Sequence, residues 1–280
     1  MRSGSSNESG QNPERKDKMF RRGLGVILLS AFLSISASSC VSEYNLATQK
    51  QETLLYGTDK EVSIGDGISK QIEQKYTVIN DIDVNERVQN ILNRLVAVSD
   101  RTDILYFIKV LDEDDVNAVS LPGGYIYVFR GLIDEVDNDD QLAGVIAHEI
   151  GHITAKHGIK RAQASYGALL AQIMAIEVGV GGGAGLAINS LFMEHSQEDE
   201  HQADRLGVKY MKKAGYNSDE MVSFLEKLRE IREKEPLRQF SYWKTHPNLS
   251  KRIGIVRSEI KGEIEFRDYL NIMEQDDGYW

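Results

Sequence analysis

His148-Glu149-Ile150-Gly151-His152 is the stretch that decides the fold, and it lies inside a long apolar run of the chain. Two histidines at this spacing project from the same face of a helix, close enough together to hold one zinc ion. Glu149 follows the first histidine and can reach a water on that ion. The pattern therefore predicts a helix that forms one wall of a hydrolytic zinc site.

The residues around this motif argue against a chance match. A solvated helix would surround it with charge, whereas this helix is apolar at Leu142, Val145, Ile146, Ile150 and Ile153. Buried imidazoles and a buried carboxylate need partners, and one metal ion satisfies all of them. We therefore interpret both histidines as metal ligands. The alternative is a pair of hydrogen-bonded core histidines.

The composition is that of a globular protein. The chain has 280 residues, of which 41% are hydrophobic and 27% charged, and its net charge is −10 at pH 7. An acidic chain of this kind does not indicate nucleic acid or an anionic lipid surface as a partner. We expect one compact catalytic domain.

The N-terminal region reads as an export segment. Residues 1–18 are polar and predict either disorder or a wrongly assigned start, with Met19 as the true start. Residues 19–39 have the positive, apolar and small-residue regions of a signal peptide. Ala37-Ser38-Ser39-Cys40 resembles a bacterial lipobox, which implies that Cys40 is lipidated and becomes the mature N-terminus. The alternative is an ordinary cleaved signal followed by a free cysteine.

The remaining boundaries follow from composition and periodicity. Residues 40–58 are expected to form a tether, residues 59–262 the catalytic domain, and residues 263–280 an acidic C-terminal tail. Helical spacing predicts scaffold helices over residues 60–76, 84–98, 218–234 and 249–260. Asn80 or Asp83 is expected to cap the second of these helices.

Alternating β-branched and aromatic residues predict strands at Tyr106–Leu111 and Tyr125–Val128. Pro122-Gly123-Gly124 predicts a sharp turn or a close backbone approach before the second strand. We interpret this second strand as an edge strand onto which an extended peptide adds. A plain turn without a binding role is the alternative.

Two features follow the histidine motif. His157 would point about 140° away from His152 on a continuing helix, so we expect it at the surface, with Gly158 ending the helix. Residues 166–193 are apolar but interrupted by glycines. We expect two apolar helices joined by a glycine loop, with a membrane-touching hairpin as the alternative.

A catalytic zinc site takes a third protein ligand. The candidates lie between Gln197 and Asp204. Glu200 and Asp204 share a helix face, so Glu200 can bind metal while Asp204 hydrogen-bonds a ligating histidine or the substrate. Spacing alone does not choose between Glu200 and its competitors, which are Glu198, Asp199 and His201.

The motif together with Glu200-x-x-Ala203-Asp204 resembles the gluzincin peptidases related to the heat-shock protease HtpX and the prenyl-processing CAAX proteases. The resemblance also includes Asn117-Ala118, residues 121–124 and Thr245-His246-Pro247, so it covers about residues 60–260. The layout is similar to short periplasmic lipoprotein members of that family. Gln197 departs from the family, which has arginine there, so the salt bridge of that arginine is not expected.

The resemblance implies one zinc ion per chain, bound by His148, His152 and Glu200, with Glu149 as the general base. Asp204 would support a ligand or donate a proton. His246 would approach the metal as a fourth ligand or stabilise the tetrahedral intermediate. The implied fold is α+β, a mainly helical zincin-like domain with a small sheet and an edge strand beside the zinc helix.

The implied function is that of a zinc-dependent endopeptidase of the bacterial cell envelope, with unfolded or misassembled envelope proteins as substrates. The expected location is the periplasmic face, on the outer membrane because Val41 rather than aspartate follows Cys40. The envelope assembly machinery is a further expected partner. The alternative function is a zinc-containing assembly chaperone whose latent site is closed by His246.

Overall fold

The structure, a computed structural model, describes residues 41–164, 195–234 and 241–262. The predicted signal peptide with Cys40, the apolar stretch 166–193 and the acidic tail 263–280 lie outside the described residues. From Ser42 onward the described residues belong to one compact unit. The helix and strand assignments below refer to these residues.

The first two strands occupy the stretch that we expected to be a tether. Strands β1 (Val41–Asn45) and β2 (Lys50–Leu54) pair with each other. Asn45 and Leu54 are buried, and Asn45 Nδ2 donates a hydrogen bond to the Thr154 carbonyl at 3.0 Å. The strand pair therefore packs against the end of the helix that contains the histidine motif.

A second sheet has three strands in the order β3-β5-β4. Strand β3 (Phe107–Leu111) runs parallel to β5 (Tyr125–Phe129), and β4 (Ala118–Ser120) runs antiparallel to β5. Strands β3 and β5 confirm the predicted strands, while β4 was not predicted. The sheet is the small sheet of the expected α+β fold, which is confirmed.

The interpretation of the strand that begins at Tyr125 as an edge strand is wrong, because β5 is paired on both sides. Ile126 and Val128 pack into one hydrophobic core, while Tyr127 and Phe129 pack into the other. Strands buried on both faces have nearly continuous apolar sequences. The strand at the sheet edge beside the zinc helix is instead β4.

The helices agree closely with the predicted scaffold. Their bounds are α1 Thr58–Lys75, α2 Ile82–Val96, α3 Arg130–Glu135, α4 Asp139–Thr154, α5 His157–Ala164, α6 Gln197–Ala214, α7 Asp219–Lys234, α8 Tyr242–Thr245 and α9 Leu249–Lys261.

The residue that caps α2 is neither of the two expected residues. Asp81 accepts a hydrogen bond from Val84 N at 3.1 Å. Its side chain stands in the N-cap position, from which it can reach the third helical residue.

Helices cover both faces of the three-stranded sheet. Helix α1 packs Ile64, Ile68 and Ile72 against one face, and α2 and α4 lie on the other. Helices α2, α6 and α7 pack around α4, and α9 packs on α6 and α7. Helix α4 is therefore buried from Gln141 to Thr154. This burial is why its sequence is apolar on every side.

The turn Pro122–Gly124 before β5 confirms the predicted close approach. Gly123 and Gly124 have φ values of 77° and 102°. A Cβ on Gly123 would lie 2.6 Å from Val62 Cα, and one on Gly124 would lie 2.1 Å from Leu105 O. Only glycine fits both the conformation and the space.

Among the described residues, no helix combines the length and the hydropathy that crossing a membrane requires.

Candidate metal centre

Four side chains converge at the centre of the helical layer. His148, His152, Glu200 and His246 each offer one ligand atom, and these atoms all lie within 4.8 Å of one another. The Nε2 atoms of His148 and His152 are 3.0 Å apart, and His246 Nδ1 is 2.9 Å from Glu200 Oε1. All four residues are buried. The structure thus brings together both motif histidines, the favoured third ligand and the expected fourth group.

Three segments deliver these groups. Helix α4 holds both motif histidines, and Asn138 caps it by accepting a hydrogen bond from Gln141 N at 2.9 Å. Helix α6 holds Glu200 and is capped by Ser196. His246 follows α8 directly. The His195 amide donates to the Thr245 carbonyl at 3.0 Å, which ties the start of α6 to this third segment.

The competitors for the third ligand position lie elsewhere. Glu198 is exposed and Asp199 is partly exposed. His201 is buried, but it is not a member of the cluster. Glu200 is the carboxylate of α6 that faces the two histidines.

Burial and the neighbouring groups together put these side chains in the ionisation states that a zinc ion needs. Burial lowers the pKa of His148 and that of His152 to about 4, so both imidazoles are neutral at pH 7. Burial alone would raise the pKa of Glu200, but the charges of His246 and Arg252 outweigh it and hold this pKa well below its usual range. Neutral imidazole nitrogens and a carboxylate oxygen are preferred zinc ligands.

Glu149 has an unusual environment for a carboxylate. It is fully buried, and neither of its oxygens has a hydrogen-bond partner within the described part of the chain. His246 Nε2 lies 3.4 Å from Glu149 Oε1. An unpartnered buried carboxylate is costly, so the site fits a bound cation and a polar reactant beside it.

Asp204 contacts the far side of a metal histidine. Its Oδ1 lies 2.8 Å from His148 Nδ1. Arg252 grips the same carboxylate with two hydrogen bonds, Nε to Oδ2 at 2.8 Å and Nη2 to Oδ1 at 2.7 Å. Arg252 Nη1 also lies 2.9 Å from Glu200 Oε2. Asp204 therefore links a motif histidine to a buried arginine.

Sequence reasoning missed Arg252. It lies on α9, which we had interpreted only as scaffold, and it is fully buried. The sequence did contain an indication that Arg252 is buried. Arg252 falls on the same face of α9 as the buried residues Leu249 and Val256. A charged residue on the buried face of an amphipathic helix needs a partner.

The prediction that His157 lies at the surface is wrong, because only 2% of it is exposed. It assumed that the helix continues, whereas α4 ends at Thr154 and Lys156 has φ 59°. The chain turns there, and His157 returns to place its Nδ1 2.8 Å from His152 Nδ1. Gly158 does not end the helix but lies within α5.

Two rings stack on His246. The ring of Tyr242 lies 4.3 Å from it and that of His195 lies 5.0 Å from it, centroid to centroid. His195 also lies 4.0 Å from the ring of His152. Nothing in the sequence had distinguished His195, which is buried beside the cluster.

Comparison with known proteins shows to which protein family the chain belongs. The model of peptidase family M48 matches residues 83–260, which is more than half of the chain. The chain belongs to peptidase family M48. Members of this family are zinc metallopeptidases, so the prediction of a zinc metallopeptidase class and of zinc as its metal is confirmed.

Among M48 relatives, a putative beta-barrel assembly-enhancing protease of Vibrio cholerae is 29% identical over 188 residues, 61% of this chain and 38% of that protein. Metalloprotease LoiP of Escherichia coli is 26% identical over 212 residues, 72% of this chain and 81% of LoiP. Mitochondrial metalloendopeptidase OMA1 of Schizosaccharomyces pombe is 27% identical over 169 residues, 59% of this chain and 50% of OMA1. The chain thus spans well under half of the Vibrio relative.

Proposed function

We propose that this M48 chain is a zinc-dependent endopeptidase in which His148, His152 and Glu200 hold one zinc ion and Glu149 is the general base. The observation that carries the proposal is the buried carboxylate of Glu149 beside the converging ligand atoms, which has no hydrogen-bond partner among the described residues. When bound there, zinc would polarise the scissile carbonyl and lower the pKa of water.

Other residues of the chain transfer the proton, orient a ligand and keep the carboxylates ionised. Glu149 takes a proton from the attacking water and passes it to the leaving amine nitrogen. Asp204 accepts the Nδ1 proton of His148, which leaves the Nε2 lone pair directed at the cluster. Arg252 keeps Asp204 and Glu200 ionised by pairing with both.

The test is Glu149→Gln, which keeps the shape of the side chain but cannot accept the proton. We expect unchanged zinc content and a loss of casein cleavage of at least about 100-fold. Glu198→Gln is the matched control, because Glu198 is an exposed carboxylate near the site on α6, and it should cleave at the native rate. Casein cleavage by Glu149→Gln at the native rate would contradict the assignment.

The edge strand β4 supports an extended peptide as the substrate. The backbone groups of Asn117 and Leu121 bond to β5, through Phe129 N→Asn117 O at 2.9 Å and Leu121 N→Tyr125 O at 2.8 Å. Because bonding direction alternates along a strand, the backbone groups of Ala118 and Ser120 face away from β5, and no described strand pairs with that edge.

A peptide that adds to β4 would be recognised through its backbone, with weak sequence preference. Substrates would therefore be unfolded or misassembled proteins. Cleavage rates for the folded and the unfolded form of one protein measure this preference, and equal rates would contradict it.

The location that we propose is the periplasmic face of the bacterial envelope. The lipobox-like Cys40, followed by Val41, supports a lipid tether at the outer membrane. The Vibrio relative, which is named for enhancing beta-barrel assembly, supports envelope proteins as substrates and the assembly machinery as a partner.

The position of His246 favours a second candidate function. His246 offers a fourth ligand atom to the cluster, and every member of the cluster is at most 2% exposed. A closed four-ligand site is the mark of structural zinc. The second candidate is therefore a zinc-containing assembly chaperone with a latent site.

His246→Ala separates the two functions. A large gain in casein cleavage would support a latent site that His246 closes. A loss of cleavage with zinc content retained would support a catalytic role for His246. Lys244→Ala is a control in the same segment, because Lys244 is exposed, and it should leave the rate unchanged.

A further inference from the structure

Each motif histidine has a partner on the ring nitrogen that faces away from the cluster. For His148 this partner is Asp204, at 2.8 Å from Nδ1. For His152 it is His157, whose Nδ1 lies 2.8 Å from His152 Nδ1. The metal histidines are thus supported by two chemically different groups.

We propose that His157 is a positioning residue that fixes the tautomer and the ring orientation of His152. The inference rests on the proposed role of His152 as a zinc ligand. His152 Nε2 faces the cluster, 3.3 Å from Glu200 Oε1, so this nitrogen is the one that binds metal. His152 Nδ1 then keeps its proton and needs an acceptor. His157 Nδ1 is that acceptor only when the proton of His157 is on Nε2.

The surroundings of His157 supply the partners that this tautomer requires. Its Nε2 lies 2.8 Å from Gln202 Oε1 and 3.4 Å from Asp199 Oδ1. Both oxygens are hydrogen-bond acceptors, and an ionised Asp199 carboxylate has no proton to donate. The hydrogen bonds therefore run in one direction, from His152 Nδ1–H to His157 and from His157 Nε2–H to α6.

The backbone before His157 is held in a conformation that only contacts can maintain. Lys156 has φ 59°, a left-handed conformation that is unfavourable for a residue with a Cβ. Its ammonium pairs with Glu43 of β1 and lies 3.7 Å from Glu61 of α1. Arg101 Nη1 donates to the Ile153 carbonyl at 3.0 Å. Distant segments of the chain therefore fix the turn that returns His157 to His152.

The experiment compares zinc affinity in His157→Asn and His157→Leu by competition with a chelating dye. The side-chain oxygen of Asn can take the place of His157 Nδ1 and accept the hydrogen bond from His152 Nδ1–H. Leu fills the space but offers no acceptor. We expect Leu to weaken zinc binding about 10–100-fold and Asn to retain most of the affinity. A packing role predicts the opposite order, because Leu is apolar and of similar size.

A control and a spectroscopic readout complete the test. His201→Leu removes another buried histidine, on α6 and outside the cluster, and should keep native zinc affinity. Nitrogen-15 NMR of the zinc-loaded protein should find the His157 proton on Nε2. A proton on Nδ1, or equal affinities for Leu and Asn, would overturn the inference. Native affinity in His152→Ala would instead contradict the proposed ligand set.

Discussion

At the scale of single residues, the site depends on a buried cluster of charges that has a structural as well as a chemical role. Arg252, Asp204 and Glu200 are all fully buried. Buried charged groups are tolerated only because each is paired with an opposite charge. Removing one partner leaves the remaining charges buried without compensation. Arg252 pairs with both carboxylates. It therefore stabilises the fold while it sets the charge of the metal site.

Arg252→Met should lower the free energy of unfolding of the metal-free protein by about 3–5 kcal/mol, because two buried carboxylates lose their cation. Urea unfolding followed by circular dichroism measures the change. Arg257→Met is the matched control on the same helix, because Arg257 pairs with Glu226 but is 55% exposed, and we expect it to cost less than about 1 kcal/mol. Equal losses in the two variants would contradict a structural role for Arg252.

At the scale of elements, the metal site depends on how closely α4 and α6 approach each other. Gly151 lies within the histidine motif on α4 and faces Ala203 of α6. A Cβ on Gly151 would lie 2.7 Å from Ala203 O and 2.9 Å from Ala203 Cα. Both of these atoms belong to the backbone of α6, so they cannot rotate away. Because Gly151 has no side chain, α4 and α6 can pack closely enough to bring the motif histidines next to Glu200.

Gly151→Ala should cost about 1–3 kcal/mol of unfolding free energy and weaken zinc binding, because it forces α4 and α6 apart. Gly254→Ala on α9 is the control. A Cβ there meets nothing within 4 Å, so this variant should gain up to about 1 kcal/mol from helix propensity and bind zinc normally. Thermal unfolding and dye competition measure the two effects. Native zinc affinity in Gly151→Ala would argue against the close contact.

At the scale of the whole molecule, the charge of the chain bears on where it acts. A chain with a net charge of −10 has no electrostatic attraction to an anionic membrane surface. If Cys40 is lipidated as proposed, membrane attachment would come from its acyl chains, since each buried methylene contributes about 0.8 kcal/mol.

Cys40→Ala should move the protein from the membrane fraction to the soluble fraction of lysed cells. The variant removes the acceptor of the lipid and leaves the catalytic domain unchanged. Ser39→Ala keeps a small residue before the cysteine and should remain in the membrane fraction. Immunoblots of the separated fractions measure the distribution. A wild-type protein found in the soluble fraction would overturn the lipid tether.

Local patterns determined most of the elements and the two motif histidines as candidate ligands. The 3.6-residue period placed α1, α2, α7 and α9, and the alternation of β-branched residues placed β3 and β5. The spacing of His148, Glu149 and His152 predicted the helix and its chemistry. These features depend on residues a few positions apart, so they can be read from the sequence. Glu200 was singled out among its neighbours only by family resemblance.

Only the tertiary structure decided the features that depend on distant segments. The strand that begins at Tyr125 is central because β4 pairs beside it, and a short strand of three residues leaves little periodicity to detect. Arg252 could be recognised as buried, but its two carboxylate partners lie on another helix. His157 was misplaced because α4 ends where Glu43 and Arg101 hold the backbone, and those residues are far from it in the sequence. The end of a helix and the partner of a buried charge depend on contacts between residues that are far apart in the sequence. The periodicity of the sequence does not predict such contacts.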